Sequence, residues 1–339
     1  IDMSLTKAID TLIERRDLTP ELAEESIENV INGADPCQAA ALLVLLRSKG
    51  ETPEEVAGMV RAMRRHMIPV KAAGGSLDIV GTGGDGHHTV NISTCASIVV
   101  ASCGATVAKH GNRSVSSKCG SADVLEACGV RLSLPSEAVE RCLAETGIGF
   151  MFAPAFHPAM KTIVPVRKAL GVRTIFNILG PMLNPTGCSR ALIGVYSPQL
   201  VQLMADALHA LGAEFAMVVH CGGLDELAPI AVATTAIVRP SGVEVGTLDP
   251  FELGFARCTI DDLRGGDTEE NAKILKDILA GKISGPLADT VILNAGAGLY
   301  VSGKASSVKD GCAMAKDALS TGRPLETLEK WAACSQREA

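Results

Sequence analysis

The feature that most constrains this chain is a glycine-rich turn that follows a short apolar stretch. Residues 78–86 read DIVGTGGDG, and four of the last six positions are glycine. Glycine lets the backbone turn tightly and approach another group closely. In open parallel sheets, ligands gather at such strand exits, where the following helix presents unpaired amides. The sequence therefore predicts an α/β fold with an anion-binding loop here, although a purely structural turn is the alternative.

Short apolar runs alternate with amphipathic stretches from about residue 75 onward. The predicted strands are LDIV, ATVAKH, IGFMFA, ALIGVYS and FAMVVHC. This alternation predicts a mainly parallel central sheet flanked by helices. TTAIVRP and GVEVGTLDP predict an antiparallel addition to the sheet, and the chain from about residue 268 onward predicts helices.

The first 67 residues predict a small helical domain with well-marked helix starts. Three dipeptides place a capping side chain before a proline in the first turn: Thr19-Pro20, Asp35-Pro36 and Thr52-Pro53. Two of these starts also match the capping box, with Gln38 and Glu55 at the third helical position. Gly33 and Gly50 are expected to end helices. The fold class is therefore a small helical domain plus a larger α/β domain.

Charge and hydrophobicity exclude several function classes. The chain has 339 residues, of which 47% are hydrophobic, so it can bury a large core. Its longest apolar runs, such as residues 39–46, are too short to span a bilayer, and we expect no membrane segment. The formal net charge is −7, so nucleic-acid binding is not expected.

The cysteines predict a reducing compartment. Eleven cysteines are spaced irregularly without a CxxC pair, which favours buried, reduced thiols over disulfides or zinc ligands. The chain begins at Ile1 rather than Met. We expect a soluble intracellular protein that is cytoplasmic, or located in the plastid stroma if a transit peptide has been removed.

A second strand exit leads into a polar, positively charged stretch, AKHGNRSVSSKCGSAD, at residues 108–123. Its cations are Lys109, Arg113 and Lys118. Its neutral hydrogen-bonding side chains are those of Asn112, Ser114, Ser116, Ser117 and Ser121. Such a loop can close over a polyanion, whereas the alternative is a solvated surface loop. Two phosphate-suited exits, one βαβ step apart, favour the binding interpretation.

Acidic residues at a third strand exit point to a metal. HCGGLDELAP contains the adjacent Asp225 and Glu226, and Mg²⁺ prefers oxygen ligands together with waters and substrate phosphates. Asp85 in the glycine loop would repel phosphate unless it accepted sugar hydroxyls or faced a metal. Adjacent acids are also common on solvated surfaces, so this interpretation depends on the shared position at strand ends.

Taken together, the motifs resemble those of the anthranilate phosphoribosyltransferase family over nearly the whole chain. They occur in the family's order and spacing: GTGGDG, NIST, KHGNRSVSSKCGSADVLEACG, HPAMKTIVPVRKALGVRTIFNILGPMLNP and GLDE. The resemblance implies transfer of the phosphoribosyl group of phosphoribosyl pyrophosphate (PRPP) to anthranilate. The products would be N-(5-phosphoribosyl)anthranilate and pyrophosphate, in the second step of tryptophan biosynthesis. It also implies a Mg²⁺ cofactor and a homodimer formed through the helical domain.

The resemblance also implies a domain division and a set of site residues. The helical domain would comprise residues 1–68 with a returning segment near 158–185, and the α/β domain 75–157 and 186–339. The PRPP-binding positions are Gly81, Gly84, Asp85, Thr89, Asn91, Ile92, Ser93, Thr94, Lys109, His110, Gly111, Asn112, Arg113, Ser114, Val115, Ser116, Ser117 and Ser121. The anthranilate positions are Gly81, Asn112 and Arg167, the metal positions are Ser93, Asp225 and Glu226, and the catalytic positions are Lys109, Asn112 and Arg167.

Three residues depart from the commonest form of the family motifs: Cys95, Cys119 and Phe156. An aromatic amine is neutral at pH 7, so attack on the sugar does not require a strong general base. His110 and His157 could accept the late proton, although a structural role is favoured for both. Two other functions stay open: a nucleoside phosphorylase that uses free phosphate without magnesium, and an inactive nucleic-acid-binding paralogue. The net acidity argues against the latter.

Overall fold

The computed structural model describes residues 3–114 and 118–337. In this part of the chain the helices are α1 Met3–Ile13, α2 Pro20–Ile31, α3 Pro36–Lys49, α4 Pro53–Arg65, α5 Ile92–Ser102, α6 Ser121–Ala127, α7 Ser136–Thr146, α8 Ala153–Phe156, α9 Met160–Leu170, α10 Phe176–Leu179, α11 Gln199–Ala210, α12 Thr268–Leu279, α13 Pro286–Val301, α14 Val308–Ser320 and α15 Arg323–Gln336. The strands are β1 Leu77–Gly81, β2 Val107–Gly111, β3 Ile148–Phe152, β4 Arg190–Gly194, β5 Phe215–His220, β6 Ala233–Arg239 and β7 Gly242–Leu248.

The N-terminal helices begin where the capping residues predict. Thr19, Asp35 and Thr52 each accept a backbone hydrogen bond at the start of α2, α3 and α4. The capping box predicted from Thr52 and Glu55 is confirmed. The one predicted from Asp35 and Gln38 is wrong, because the Gln38 amide donates to a hydroxyl on α1 at 3.5 Å and does not fold back.

The predicted central sheet is confirmed. Its strands lie in the order β3-β2-β1-β4-β5-β6-β7 across the described residues. The first five strands are parallel, and β6 and β7 add in antiparallel fashion. The chain moves outward from β1 to β3 and then returns beside β1 at β4. The carboxyl ends of β1 and β4 therefore form the topological switch point, where open α/β sheets usually bind ligands.

Alternating side chains along the strands divide the apolar interior between the two faces of the sheet. On β4, Leu192 belongs to the core that contains α5, α7 and α13 to α15, while Ala191 and Ile193 belong to a second core. The second core also contains α11, the four N-terminal helices and apolar residues between Ile163 and Leu183. The helical part thus packs on one face of the sheet, and the C-terminal helices cover the other.

Three chain crossings between the helical part and the sheet part lie side by side. The Ile68 amide donates to the Phe156 carbonyl at 2.8 Å, and the Val70 amide donates to the Pro185 carbonyl at 3.1 Å. Arg64, at the end of α4, donates twice to the Met182 carbonyl. Hydrogen bonds therefore join the three crossings into one hinge row.

The cysteines and the apolar helices can be compared with the sequence expectations. All eleven cysteines are free thiols, and most are buried. Cys95 and Cys119, which depart from the family motifs, both lie in the core of the α/β part, as does Phe156. Among the described residues, no helix combines the length and the apolar character needed to cross a bilayer.

Candidate active site at the carboxyl ends of the strands

The glycine loop begins at the end of β1 and leads into α5. Gly83, Gly84 and Gly86 have φ values of +69°, +77° and +79°, a region that side chains with a Cβ rarely adopt. The Thr82 amide donates to the Gly194 carbonyl at 2.9 Å, which extends the pairing of β1 with β4 into the loop. Glycine at these positions therefore lets the loop fold over the switch point.

The loop after β5 packs directly on this switch point. A Cβ added to Gly194 would lie 1.5 Å from the Asp225 carbonyl oxygen, and one added to Gly81 would lie 2.3 Å from Asp225 Oδ2. The Gly83 amide donates to Asp225 Oδ2 at 2.6 Å. His220, at the end of β5, connects this loop to the residue that follows β4. Its Nδ1 lies 2.8 Å from the Val195 carbonyl, and its Nε2 accepts a hydrogen bond from the Gly223 amide.

Three carboxyl groups converge at this position. The Ser93 amide, in the first turn of α5, donates to Glu226 Oε1 at 3.2 Å. Burial raises the pKa of Asp225 well above its usual range, and the neighbouring charges of Glu226 and Asp85 raise it further. Burial also raises the pKa of Glu226 to about 7, while Lys109 and Ser93 act in the opposite direction. The cluster thus holds more negative charge than its protein surroundings compensate.

The donor set suits a hard divalent cation. Asp225, Glu226 and the Ser93 hydroxyl offer oxygen ligands beside the glycine loop, and the two carboxylates are the groups whose charge is poorly compensated. Within residues 3–114 and 118–337, no cluster of three or more His, Cys, Asp or Glu side chains is arranged to hold a metal. A cation bound here would take its remaining ligands from phosphate oxygens and water, as Mg²⁺ commonly does.

Lys109 lies in the middle of β2, which is an interior strand of the sheet. Its side chain is buried, and Nζ donates to the Ile79 carbonyl on β1 at 2.7 Å. Burial lowers the pKa of the Lys109 ammonium, and the negative charges of Asp78 and Glu226 oppose this shift. The ammonium therefore belongs to the same electrostatic cluster as the acidic loop.

The polar loop after β2 is tied to the start of α6. Arg113 forms ion pairs with Asp123 and Glu126 at 2.7 and 2.9 Å. The Ser114 amide donates to Asp123 at 3.1 Å, and Ser121 Oγ lies 3.2 Å from the Asn112 carbonyl. These contacts join the described part of the polar loop to α6. Val115, Ser116 and Ser117, which the resemblance assigns to PRPP, lie outside the described residues.

The residues around the start of α5 differ in their burial and in the groups that they bind. Asn91 Nδ2 donates to the Cys119 carbonyl at 3.1 Å, and Asn91 Oδ1 accepts from Asn271 at 3.2 Å. Thr89 forms an antiparallel bridge with Arg264. Ile92 and Thr94 are buried, so their side chains support the helix start from the core side.

Gly111 ends β2, and a Cβ added there would lie 2.4 Å from Ser121 Oγ.

Arg167 lies on α9, in the segment that returns to the helical part. Burial lowers the pKa of its guanidinium, which lies 5.6 Å from the centre of the Phe176 ring. Among the described residues, Arg167 forms no ion pair. A partly desolvated cation of this kind suits an anionic ligand.

His110 and His157 form a buried pair. Their Nε2 atoms are 3.1 Å apart, and burial lowers the pKa values to about 3 and about 4 respectively. Both rings are therefore neutral near pH 7, and one donates to the other. A structural role for these two histidines stays a prediction.

Sequence reasoning missed several residues that shape the site. Arg173 donates to the Gly84 carbonyl and stacks on the Tyr196 ring at 4.2 Å. Asp78, Asn184 and Asn271 are buried polar residues that bind backbone or side-chain groups next to the predicted site. The only sequence indication was a carboxylate, Asp78, inside an otherwise apolar strand.

Comparisons with known proteins cover nearly the whole chain. The family model described as the glycosyl transferase family a/b domain matches residues 73–325, and its helical bundle domain matches residues 6–67. An anthranilate phosphoribosyltransferase of Geobacter sulfurreducens is 47% identical, covering 96% of this chain and 98% of the relative.

Two solved structures extend the likeness to the fold. The crystal structure of anthranilate phosphoribosyltransferase from Thermus thermophilus has a TM-score of 0.92 and 45% identity, covering 97% of this chain and 99% of that one. The Saccharomyces cerevisiae enzyme in complex with PRPP and Mg has a TM-score of 0.89 and 26% identity, with 99% and 98% covered.

We predict that Gly194→Ala disrupts the acidic loop, because its methyl group would overlap the Asp225 carbonyl. Urea denaturation should show that the free energy of unfolding falls by about 3 kcal/mol. Gly246→Ala on β7 is the matched control, since its nearest neighbour is 3.9 Å away, and it should change stability by less than about 0.5 kcal/mol. A Gly194→Ala protein as stable as wild type would contradict this packing.

We also predict a pH-dependent cost from Glu226 in protein kept free of divalent metal. Its pKa is raised in the folded state, so folding favours the protonated form, and stability is lost as pH rises from about 4.5 through about 7. Melting temperatures of Glu226→Gln should therefore exceed those of wild type more at pH 8 than at pH 5. An exposed change on α15, Glu326→Gln, should show no such trend, and equal slopes for all three proteins would refute the prediction.

Proposed function

This chain belongs to the anthranilate phosphoribosyltransferase family, and we propose that the site at its strand ends transfers the phosphoribosyl group of PRPP to the amine of anthranilate. The observation that carries this proposal is the packing of the Asp225 loop on the glycine loop, with Lys109 in the same electrostatic cluster. This arrangement combines backbone amides, a cation and two metal-suited carboxylates. A diphosphate with an attached sugar needs all three.

We propose that PRPP lies along the glycine loop and the start of α5. The turn from Gly81 to Gly86 supplies amides that can approach phosphate closely, and the N-terminus of α5 favours negative charge. We assign Asp85 to the sugar hydroxyls of PRPP. The polar loop from Lys109 to Ser121 would complete the site, and its Arg113 must leave its carboxylate partners to reach the donor.

We assign magnesium to Ser93, Asp225 and Glu226. When bound, magnesium would neutralise charge on the leaving pyrophosphate. The two carboxylates would hold the cation beside the diphosphate end, and the glycine-loop amides would hold the diphosphate against the sheet. Lys109 contributes a further positive charge where negative charge develops as pyrophosphate leaves.

We assign anthranilate to the side of the cleft formed by α9. The Arg167 guanidinium can make two parallel charge-assisted bonds to the acceptor's carboxylate. Asn112 and Gly81 complete the pocket in this assignment. The acceptor amine is neutral at pH 7, so holding it close to the sugar carbon is the main requirement, and the neutral His110–His157 pair is not needed as a base.

We further propose the division into a helical domain, residues 1–68 with 158–185, and an α/β domain, residues 75–157 and 186–339. The shared core of the N-terminal helices with Ile163 to Leu183 supports it. We propose a homodimer through the helical domain, because most of the large exposed apolar residues of the described chain lie there: Ile13, Val44, Ile68, Val164 and Val172. A monomer in sedimentation velocity at micromolar concentration would contradict the dimer.

We propose a reducing compartment, cytoplasmic or stromal, on the basis of the eleven free thiols. Alkylation of the unfolded protein directly from lysed cells should modify every cysteine, and disulfide-linked peptides would contradict this.

The comparisons do not favour a nucleoside phosphorylase or an inactive nucleic-acid binder. Incubation with a nucleoside and phosphate, without magnesium, should give no free base.

The proposed reaction predicts that anthranilate fluorescence decreases when PRPP and Mg²⁺ are both present, and not when either is omitted. The double variant Asp225→Asn, Glu226→Gln should lose about a hundredfold or more in kcat/KM, because the diphosphate loses its metal. Glu326→Gln should behave as wild type. Turnover without magnesium, or a normal magnesium response of the double variant, would contradict the assignment.

For Arg167 we predict a defect in the use of the acceptor. Arg167→Ala should raise the KM for anthranilate about tenfold to a hundredfold, because two charge-assisted bonds are lost, while the KM for PRPP changes less than about twofold. Arg167→Lys should lie between the two, and Lys168→Ala is the neighbouring control. An unchanged anthranilate KM and kcat in Arg167→Ala would remove this residue from the site.

A further inference from the structure

Regular backbone pairing between β1 and β2 stops before their carboxyl ends. β1 pairs with β4 over five residues, and β2 pairs with β3 over five residues. Between β1 and β2 the register contains one pair, Leu77 with Val107. The glycine loop and the polar loop leave the sheet from these two strands. The backbone hydrogen-bond ladder between the two halves of the parallel sheet is thus interrupted where the proposed donor site begins.

Side chains bind the backbone groups that the short ladder leaves without strand partners. The His110 amide donates to Asp78 Oδ1 at 3.2 Å, and the Ala108 carbonyl accepts from Asn184 Nδ2 at 2.7 Å. Asn184 Nδ2 also donates to Asp78 Oδ2 at 2.7 Å. Buried backbone groups need hydrogen-bond partners, so this pair of side chains makes the open seam tolerable.

The orientation of Asn184 is fixed by its other end. Its Oδ1 accepts from the Thr186 amide at 2.9 Å and from Thr186 Oγ1 at 2.7 Å. The amide nitrogen must therefore face Asp78 and the Ala108 carbonyl, both of which are acceptors. Asp78 has 0% and Asn184 3% of its surface exposed, so water does not replace these bonds.

Asn184 also belongs to the hinge row. It precedes Pro185, whose carbonyl accepts from the Val70 amide at 3.1 Å. The Asp78–Asn184 pair therefore connects the chain crossing that carries the proposed acceptor segment to the strand that carries Lys109. No other role in the site assignments uses either residue.

We propose that Asp78 and Asn184 are positioning residues: together they wedge the β1–β2 seam open and fix the backbone on both sides of Lys109, so that the two donor-binding loops face one cleft. This inference rests on the proposed function for the identity of the donor. Ala108 and His110 flank Lys109, and each has a backbone group bound to the wedge. The ammonium of Lys109 then reaches the Ile79 carbonyl across the gap.

The chemistry of Asp78 supports a role beyond packing. Burial raises the pKa of its carboxyl to about 6, despite the opposing effects of Lys109, Asn184 and the His110 amide. An apolar residue would avoid this desolvation cost. A carboxylate nevertheless fits, because it offers two acceptor atoms to two donors that face each other across the seam. Asparagine has the same shape but one acceptor, which makes Asp78→Asn a sharp test.

The first experiment is steady-state kinetics of full-length Asp78→Asn with both substrates and Mg²⁺. We expect the KM for PRPP to rise about tenfold, as for the loss of one hydrogen bond to a charged group, and the KM for anthranilate to change less than about twofold. The control is Ser335→Ala, which removes a buried hydroxyl that accepts from the Arg131 amide far from the site. It should leave both KM values unchanged.

Thermal melting distinguishes positioning from simple loss of structure. Asp78→Asn removes a costly buried charge, so its melting temperature should stay near that of wild type while PRPP use declines. Asn184→Ala provides a second variant with the same predicted KM pattern. An unchanged KM for PRPP in a folded Asp78→Asn protein would overturn the proposal, and so would equal losses for both substrates that follow the drop in melting temperature.

Hydrogen–deuterium exchange tests the wedge without reference to activity. Amide exchange in residues 107–111 should accelerate about tenfold in Asp78→Ala, because the His110 amide loses its side-chain acceptor, and should be unchanged in Ser335→Ala. If wild type fails to turn over PRPP and anthranilate, the proposed function fails while this measurement still tests the wedge. Unchanged exchange in Asp78→Ala would refute the wedge itself.

Discussion

The packing of Asp225 against Gly81 and Gly194 is the contact on which the rest of the site depends. It places a loop from β5 across the ends of β1 and β4, at the point where the strand order reverses. No residue with a side chain could occupy Gly194 without moving this loop. Two glycines 113 positions apart in sequence, at 81 and 194, thereby bring the acidic pair onto the glycine loop and next to the first turn of α5.

This packing brings several negatively charged side chains close together. Burial disfavours ionisation of Asp225 and Glu226, which lie close to the charge of Asp85, and Lys109 is the nearby cation that opposes the shift of Glu226. The apolar cores on both faces of the sheet supply the stability that tolerates such a cluster. The same surplus charge makes the site suited to a divalent cation, so the local instability and the proposed chemistry have one cause.

Sequence patterns predicted the strands well because most are buried on both faces and therefore appear as short, continuous apolar runs. The site edge followed from the rule that parallel strands end together, which placed Asp85, Lys109 and Asp225 near one another. The identity of the substrates came from family resemblance and not from residue spacing. The capping box at Asp35 failed because Gln38 found a tertiary partner on another helix.

Other features depended on contacts that no local pattern encodes. Asp78 and Asn184 are 106 positions apart, and neither shows on its own that it binds the other. The ion pairs of Arg113 with α6 likewise depend on how a short loop folds back, which composition does not determine. Polar residues in apolar strands were the available indication, and their partners became visible only in three dimensions.

The hinge row limits how the two parts of the molecule can move. Because the crossings near residues 68, 156 and 185 are joined by hydrogen bonds, bending at one of them would involve the other two. Arg173 contacts Gly84 across the opening that such a rotation would widen or narrow. Under the proposed site assignments, the two substrates would lie on opposite walls, and a rotation at the hinge row would change their separation by moving each wall as a unit.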